Sequence, residues 1–292
     1  MTSIAAKSVL KLGEIITSRQ IEALGRGLGS LFWLTLKSRR ELAIENIHKR
    51  LDVPKEKAVV IAKESFSSNC QSFLEILLNP TAKKELKERL IIDNAHYLAE
   101  AIAAERPVVG ITAHLGAWEL LTGCLSIYAP ADREQLVVMR KQKNKTLQNI
   151  ICSLRGANNI RIVEHRNAVR PILKALKNNA IACFLADHNC SRSEAIFLPF
   201  LGKLAAVNRG PALLATRANA LVLTVFLTRQ PDGRLVFHCH KPIDTAKLEG
   251  TTEERIRLVA EYYTKNIEEF VRKYPEQWFW MHKRWKTRPE HE

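Results

Sequence analysis

The segment VVGITAHLGAWELL, residues 108–121, carries the residue types best suited to chemistry: an apolar run ends at His114, and Glu119 follows in a helix-like stretch. An imidazole with an ordinary pKa of about 6.5 can take a proton from an alcohol at neutral pH. A carboxylate on the other ring N–H fixes the tautomer and stabilises the imidazolium that forms. On one continuous helix the two residues would lie about 140° apart around the axis. The pairing therefore needs His114 in a turn before the helix, which Gly116 permits.

The elements that must hold this segment can be read from the pattern around it. From Pro107 onward, short apolar runs alternate with helix-length stretches. The runs are PVVGITA from 107, LVVM from 136, IRIV from 160, IACFLA from 181 and ALVLTVFL from 220; the helices between them are predicted at 144–155, 167–178 and 208–218. That alternation predicts an α/β sheet covered by helices, with His114 at a strand end, where ligands and catalytic groups collect. Pro231-Asp232-Gly233 predicts a turn between two antiparallel strands, and a last helix is expected over about 251–273. Residues 1–100 read as a helical N-terminal layer of the same domain, with Leu24, Leu28 and Leu31 at helical spacing and the apolar helix around Leu24 to Leu36 as the expected membrane contact; residues 101–292 read as the α/β core with its tail.

Composition narrows the partners. Forty-five Lys and Arg against 30 Asp and Glu leave a net charge of +15 over 292 residues. Such a surface attracts nucleic acid, an anionic membrane, a phosphorylated substrate or an acidic carrier protein, and charge alone does not choose among them. No nucleic-acid fold signature accompanies the charge. The six cysteines form no C-x-x-C pair, which argues against disulfides and a zinc ribbon and for a reducing compartment. His238-Cys239-His240 offers two histidines on one strand face without a third ligand, so no metal is expected. The most apolar N-terminal stretch, Leu28 to Leu36, falls short of the roughly 20 residues a spanning helix needs. The tail alternates Trp278, Phe279, Trp280 and Trp285 with His282, Lys283, Arg284, Lys286 and Arg288. That composition suits a membrane interface, or core anchoring by Trp278 and Trp280.

HLGAWE resembles the His-x4-Asp/Glu signature of glycerolipid and lipid A acyltransferases, in the form of the late lipid A acyltransferases. In the same order, VVMRKQKN (137–144), FLADHN (184–189), LPFLGKLAAVNRGPALLATRANALVL (198–223) and YPEQWFWMHKRWKTRP (274–289) are similar to that family's blocks, from about residue 24 onward. Two departures stand out: His188 replaces a frequent Gln, and Val207-Asn208-Arg209 replaces a Thr-containing segment.

The resemblance implies a glycerolipid-acyltransferase-like central mixed sheet flanked by helices. It implies direct transfer of a fatty acyl group from an acyl carrier protein thioester to a hydroxyl of a lipid A precursor, with no cofactor and no acyl-enzyme. His114 is then the base, Glu119 its orienting partner, and Arg140 the stabiliser of the oxyanion or the grip on an acceptor phosphate. Asp187, Lys203, Arg209, Gly210 and Arg217 are expected substrate contacts, with a helix N-terminus at Gly210 adding donors. The expected location is the cytoplasmic face of a bacterial inner membrane, on an anionic surface and away from nucleic acid. Another glycolipid, such as a phosphatidylinositol mannoside, is the alternative acceptor, and a non-catalytic peripheral protein the alternative class.

Overall fold

The computed structural model describes residues 4–156 and 160–290. The chain opens with α1 (Ile4–Ile15), α2 (Ser18–Thr35), α3 (Lys37–Leu51), α4 (Lys55–Leu74) and α5 (Ala82–Arg89). It continues through β1 (Leu90–Asp93), α6 (Ala95–Ala103), β2 (Val108–Thr112), α7 (Leu121–Tyr128), β3 (Gln135–Met139), α8 (Lys145–Gly156), β4 (Arg161–Glu164), α9 (Val169–Leu176) and β5 (Ile181–Leu185). Then come β6 (Ala195–Phe200), β7 (Lys203–Asn208), α10 (Gly210–Ala218), β8 (Leu221–Arg229), β9 (Leu235–Cys239), β10 (Ile243–Asp244) and α11 (Thr252–Lys273).

The main sheet runs β1-β9-β8-β2-β5-β3-β4, with β10 added beside β8. The pairs β1/β9, β8/β2, β2/β5, β5/β3 and β3/β4 are parallel; β8/β9 and β8/β10 are antiparallel. This is the mixed α/β sheet that the alternating runs predicted. The central parallel strands β2 and β5 are almost wholly apolar, as strands covered on both faces must be, whereas the outer β4 and β1 carry Arg161, Glu164 and Asp93. Val109 and Ile111 point into the core shared with α9, α10 and α11, while Val108 packs with Ile181, Leu221 and Leu223 under Ala101 of α6.

Two elements depart from the expectation. The first hundred residues are not all helix: Leu90–Asp93 forms β1 against β9, at the edge of the sheet. The segment LPFLGKLAAVN builds a separate hairpin, β6/β7, turned by Leu201 at φ 50 and Gly202 at φ 73. Two consecutive left-handed residues match a tight hairpin turn, but leucine does not announce one.

The first two long helices meet through small residues. Gly25 and Gly29 of α2 face α4 so closely that a Cβ on Gly29 would stand 2.5 Å from the Ser67 Cα. A glycine every fourth residue lets the two backbones touch. The outcome for the leucines is the reverse of a core stripe: Ile21, Gly25 and Gly29 are buried, whereas Leu24 and Leu31 are each 50% exposed and Leu34 is 72% exposed. Among the described residues no helix is long and apolar enough to cross a membrane.

Candidate active site

His114 stands two residues beyond β2, and Asp187 two residues beyond β5. These strands are parallel neighbours with Thr112 opposite Leu185, so the register carries both residues to the same point past the sheet's carboxyl edge. There the Asp187 carboxylate takes two bonds from one residue: the His114 backbone N–H donates to Oδ2 at 2.9 Å, and the ring Nδ1 lies 2.8 Å from Oδ1. The Trp278 indole N–H donates to the same Oδ2 at 2.9 Å. Burial alone raises the Asp187 pKa, but the His114 ring, its hydrogen bond, His188 and the Trp278 N–H outweigh it and hold the carboxyl well below the usual range. With Nδ1 committed to an ionised carboxylate, Nε2 is the nitrogen left to accept a proton.

The turn carrying His114 is pinned from three sides. Gly116 adopts φ +64, and a Cβ there would lie 2.1 Å from the Leu227 carbonyl oxygen, so only glycine fits. The Gly116 N–H donates to the Gln277 carbonyl (3.0 Å), the Ala117 N–H to Leu227 (2.7 Å), and the Phe279 N–H to the His114 carbonyl (3.1 Å). Ser72 of α4 caps the Gly116 carbonyl at 2.6 Å.

Much of the tail that supplies Gln277 and Phe279 is interior. Trp278 is 2% and Trp280 1% exposed; the Trp278 carbonyl accepts from Ser65 Oγ and Asn69 Nδ2, and the Trp280 N–H reaches the Pro275 carbonyl. Arg284 is buried too, bonded to the Ala206 carbonyl at 2.6 Å with its guanidinium over Phe200. Burial brings its pKa down to about 10, with Asp187 opposing the fall. Of the two readings of the ring-and-cation pattern, core anchoring holds for Trp278 and Trp280, and the membrane-interface reading is corrected for them and for Arg284, while Lys283 and Lys286 are exposed.

Among the described residues Glu119 makes no hydrogen bond to His114. It is held through both carboxylate oxygens by Arg155 of α8, a part-buried pair 36 residues apart. The residue on the imidazole is Asp187, expected as a substrate contact. Arg140 is exposed after β3, and no hydrogen bond joins its side chain to His114 or Asp187 among the described residues. Lys203 lies exposed on the β6/β7 hairpin and Arg217 exposed on α10. Arg209 is engaged by both oxygens of Glu253, and the Gly210 N–H is taken by Asn208 Oδ1 at 2.7 Å. None of these four bonds to the His114–Asp187 pair.

An apolar cavity of about 90 Å³ runs between the sheet and α6/α7, with Trp118, the ring neighbour of His114, in its lining. Thr112, Leu185 and Trp118 line its end near His114; Gly110 and Cys183 line its middle; Val108, Ala101 and Ala129 line its far end. Trp118 meets His114 edge-on at 5.4 Å. Burial pushes the Cys183 thiol up to about 12, so it stays protonated and a poor nucleophile.

Ligand atoms of His114, Asp187 and His188 gather within 4.8 Å of one another. A metal does not suit them as arranged: the two imidazole planes are parallel and 3.8 Å apart, so their in-plane lone pairs cannot converge on one ion. In the other histidine pair, His238 already has Asp93 on Nδ1 and Thr228 on Nε2.

Residues 3–287 match the family described as Bacterial lipid A biosynthesis acyltransferase. The chain belongs to that family. It is an acyltransferase of lipid A biosynthesis. Among its relatives, a lipid A biosynthesis lauroyltransferase of Escherichia coli (strain K12) is 30% identical over 132 residues, 43% of this chain and 40% of that one. A lipid A biosynthesis palmitoleoyltransferase of the same organism is 25% identical over 273 residues, covering 91% of this chain and 85% of that one. A solved 1-acyl-sn-glycerophosphate acyltransferase from Thermotoga maritima overlays with a TM-score of 0.40 at 14% identity, covering 82% of this chain and 96% of that one.

The residues of the candidate site whose contacts the sequence alone did not reveal are Asp187 as the partner of His114, Arg155 and Trp278. The first had a usable signal: in a parallel sheet, residues just past the ends of neighbouring strands converge.

Proposed function

We propose that the chain moves a fatty acyl group from an acyl carrier protein thioester to a hydroxyl of a lipid A precursor, with His114 as general base. The observation that carries this reading is the Asp187-held imidazole next to Trp118, which lines an apolar cavity. The acyl chain lies in the cavity with its thioester carbonyl at the Trp118 end. Nε2 of His114 takes the acceptor's proton as the oxygen attacks that carbonyl; the tetrahedral intermediate collapses with release of the carrier thiol, which leaves with the proton from His114. Asp187 keeps the tautomer and offsets the transient charge. Glu119 acts at a distance, by anchoring the 118–120 turn to Arg155. Arg140, Lys203 and Arg217 serve the phosphorylated acceptor or the acidic carrier as exposed cations.

Rates with purified protein test this, using acyl carrier protein and coenzyme A thioesters against lipid A precursor and mannolipid acceptors. His114→Ala and Asp187→Asn are expected to lose a hundredfold or more in turnover while remaining folded. Activity within a few-fold of wild type in His114→Ala removes it as the base. A preference for coenzyme A thioesters reassigns the donor. The cavity has its own test: a side chain at Gly110 meets Cys183 Sγ at 2.8 Å or less, so Gly110→Val shifts the preferred acyl chain to a shorter length in a competition assay.

We infer further that the protein lies peripherally on the cytoplasmic face of the inner membrane. The exposed Leu24, Leu31, Leu34 and Leu36 on one side of the helical layer support this, with Lys37 and Arg39 adjoining them.

A further inference from the structure

The general-base scheme leaves His188 unused, although it lies against the base. Its ring is parallel to that of His114, with centroids 3.8 Å apart and 1° between planes, and it stacks in turn on His282 at 4.2 Å and 21°. His282 is fixed from outside the column: its Nε2 accepts the Asn189 backbone N–H at 2.9 Å, and Asn189 is bonded through Nδ2 and Oδ1 to Thr287. The middle ring has no such tether. Its Nε2 is enclosed with no hydrogen-bonding partner, so that nitrogen has no group with which to exchange a proton.

The surroundings keep the column neutral outside His114. Burial first, then the neighbouring His114, lowers the His188 pKa to about 3 against the pull of Asp187. Burial likewise lowers His282 to about 4, with Arg284, His114 and Arg39 adding to the fall and Asp187 opposing it. Phe279 leans on both His114 and His188. What His188 presents to His114 is thus an uncharged aromatic face, of the kind that attracts a cation stacked above it.

We propose that His188 acts through the face of its ring and not through its nitrogens: it is a positioning residue that fixes the plane of His114 and stabilises its cationic form. This rests on the assignment of His114 as the base. Transfer of the hydroxyl proton to Nε2 makes His114 a cation at the moment of attack, sandwiched between Asp187 at its edge and His188 across its face.

Three substitutions separate face from nitrogen. His188→Phe keeps a face without nitrogens, His188→Gln keeps an amide without a ring, and His188→Leu keeps only bulk. The expected result is turnover within about threefold of wild type for Phe, and a fall of roughly tenfold or more in kcat for Gln and Leu with KM little changed. The acidic limb of the kcat/KM profile should move down by about 0.4–0.7 pH unit in Gln and Leu and stay in place in Phe. An active Gln variant beside an inactive Phe variant overturns the proposal, because the nitrogen is then what matters; three wild-type profiles overturn it as well. Ring NMR titration of His114 in wild type and the Phe variant decides if Gln and Leu fail to fold, since a fall in the His114 pKa on losing only the nitrogens contradicts action through the face. His114→Ala run alongside distinguishes the failures: if it stays active, the base assignment itself is wrong.

Discussion

The leucine-rich helix α2 and the tryptophan-rich tail both have the apolar residues of a membrane-contacting segment, but only α2 turns them outward. The tail has the rings and cations of a membrane-surface segment, yet Trp278, Trp280 and Arg284 are interior. Helix α2, the expected membrane contact, packs through Gly25 and Gly29 and turns Leu24, Leu31 and Leu34 outward. Hydrophobicity says that a surface is to be covered and leaves open by what. In the tail the indole N–H groups decide the matter, because buried Asp187 and the Pro275 carbonyl each need a donor. In α2 the glycines decide, because only they allow the α4 backbone so close.

The contrast can be broken at the tail with the largest effect. Trp278→Ala removes a buried indole and one donor to Asp187, and is expected to cost about 3–5 kcal/mol in denaturant unfolding together with all measurable turnover. Trp278→Phe, which keeps most of the ring, isolates the hydrogen bond at roughly 1–2 kcal/mol. Wild-type stability in Trp278→Ala would return the tail to the surface.

Acid sharpens the comparison next. His188 and His282 have lowered pKa values, near 3 and 4, so between about pH 6.5 and 4 the unfolded chain binds protons that the folded chain does not. Stability should therefore fall with pH in that window, by up to about 1.4 kcal/mol per pH unit for each ring. Below it the depressed Asp187 adds a further loss as its carboxylate is protonated in the unfolded chain first. Urea unfolding at stepped pH reads the slope, and His282→Phe should make it shallower; an unchanged slope would show that the tail ring titrates normally.

The smallest effect on folding belongs to α2. Leu31→Ser with Leu34→Ser should change stability by no more than about 0.5 kcal/mol for each exposed site. The same pair should weaken co-sedimentation with anionic vesicles by roughly tenfold or more, since each leucine buried in the interface contributes on the order of 1.5–3 kcal/mol. Retained vesicle binding would put the anchor elsewhere.

Much of the sheet was legible because parallel strands covered on both faces must be short apolar runs. β2, β3, β4, β5 and β8 each coincide with one, and Pro231-Asp232-Gly233 turns β8 into β9. His114 and the need for Gly116 were legible for the same local reason: a strand end followed by a residue without a Cβ. The partner of His114 was not, because Asp187 reaches it across the β2/β5 register, and a spacing rule led instead to Glu119, whose charge is satisfied by Arg155. β1 was hidden by charged neighbours that read as helix, and the β6/β7 hairpin by a leucine in a left-handed turn.

The pins on the His114 turn also set when the enzyme can begin to work. Ser72 lies before His114 in the chain, Asp187 and Leu227 after it, and Gln277, Trp278 and Phe279 much later, with Thr287 behind Asn189. During synthesis, then, a chain that has not yet passed Gln277 has His114 and Asp187 but lacks the last of the pins that hold their turn. Contacts so distant in sequence form late and slowly, so the turn is fully braced only after the segment 277–279 has docked.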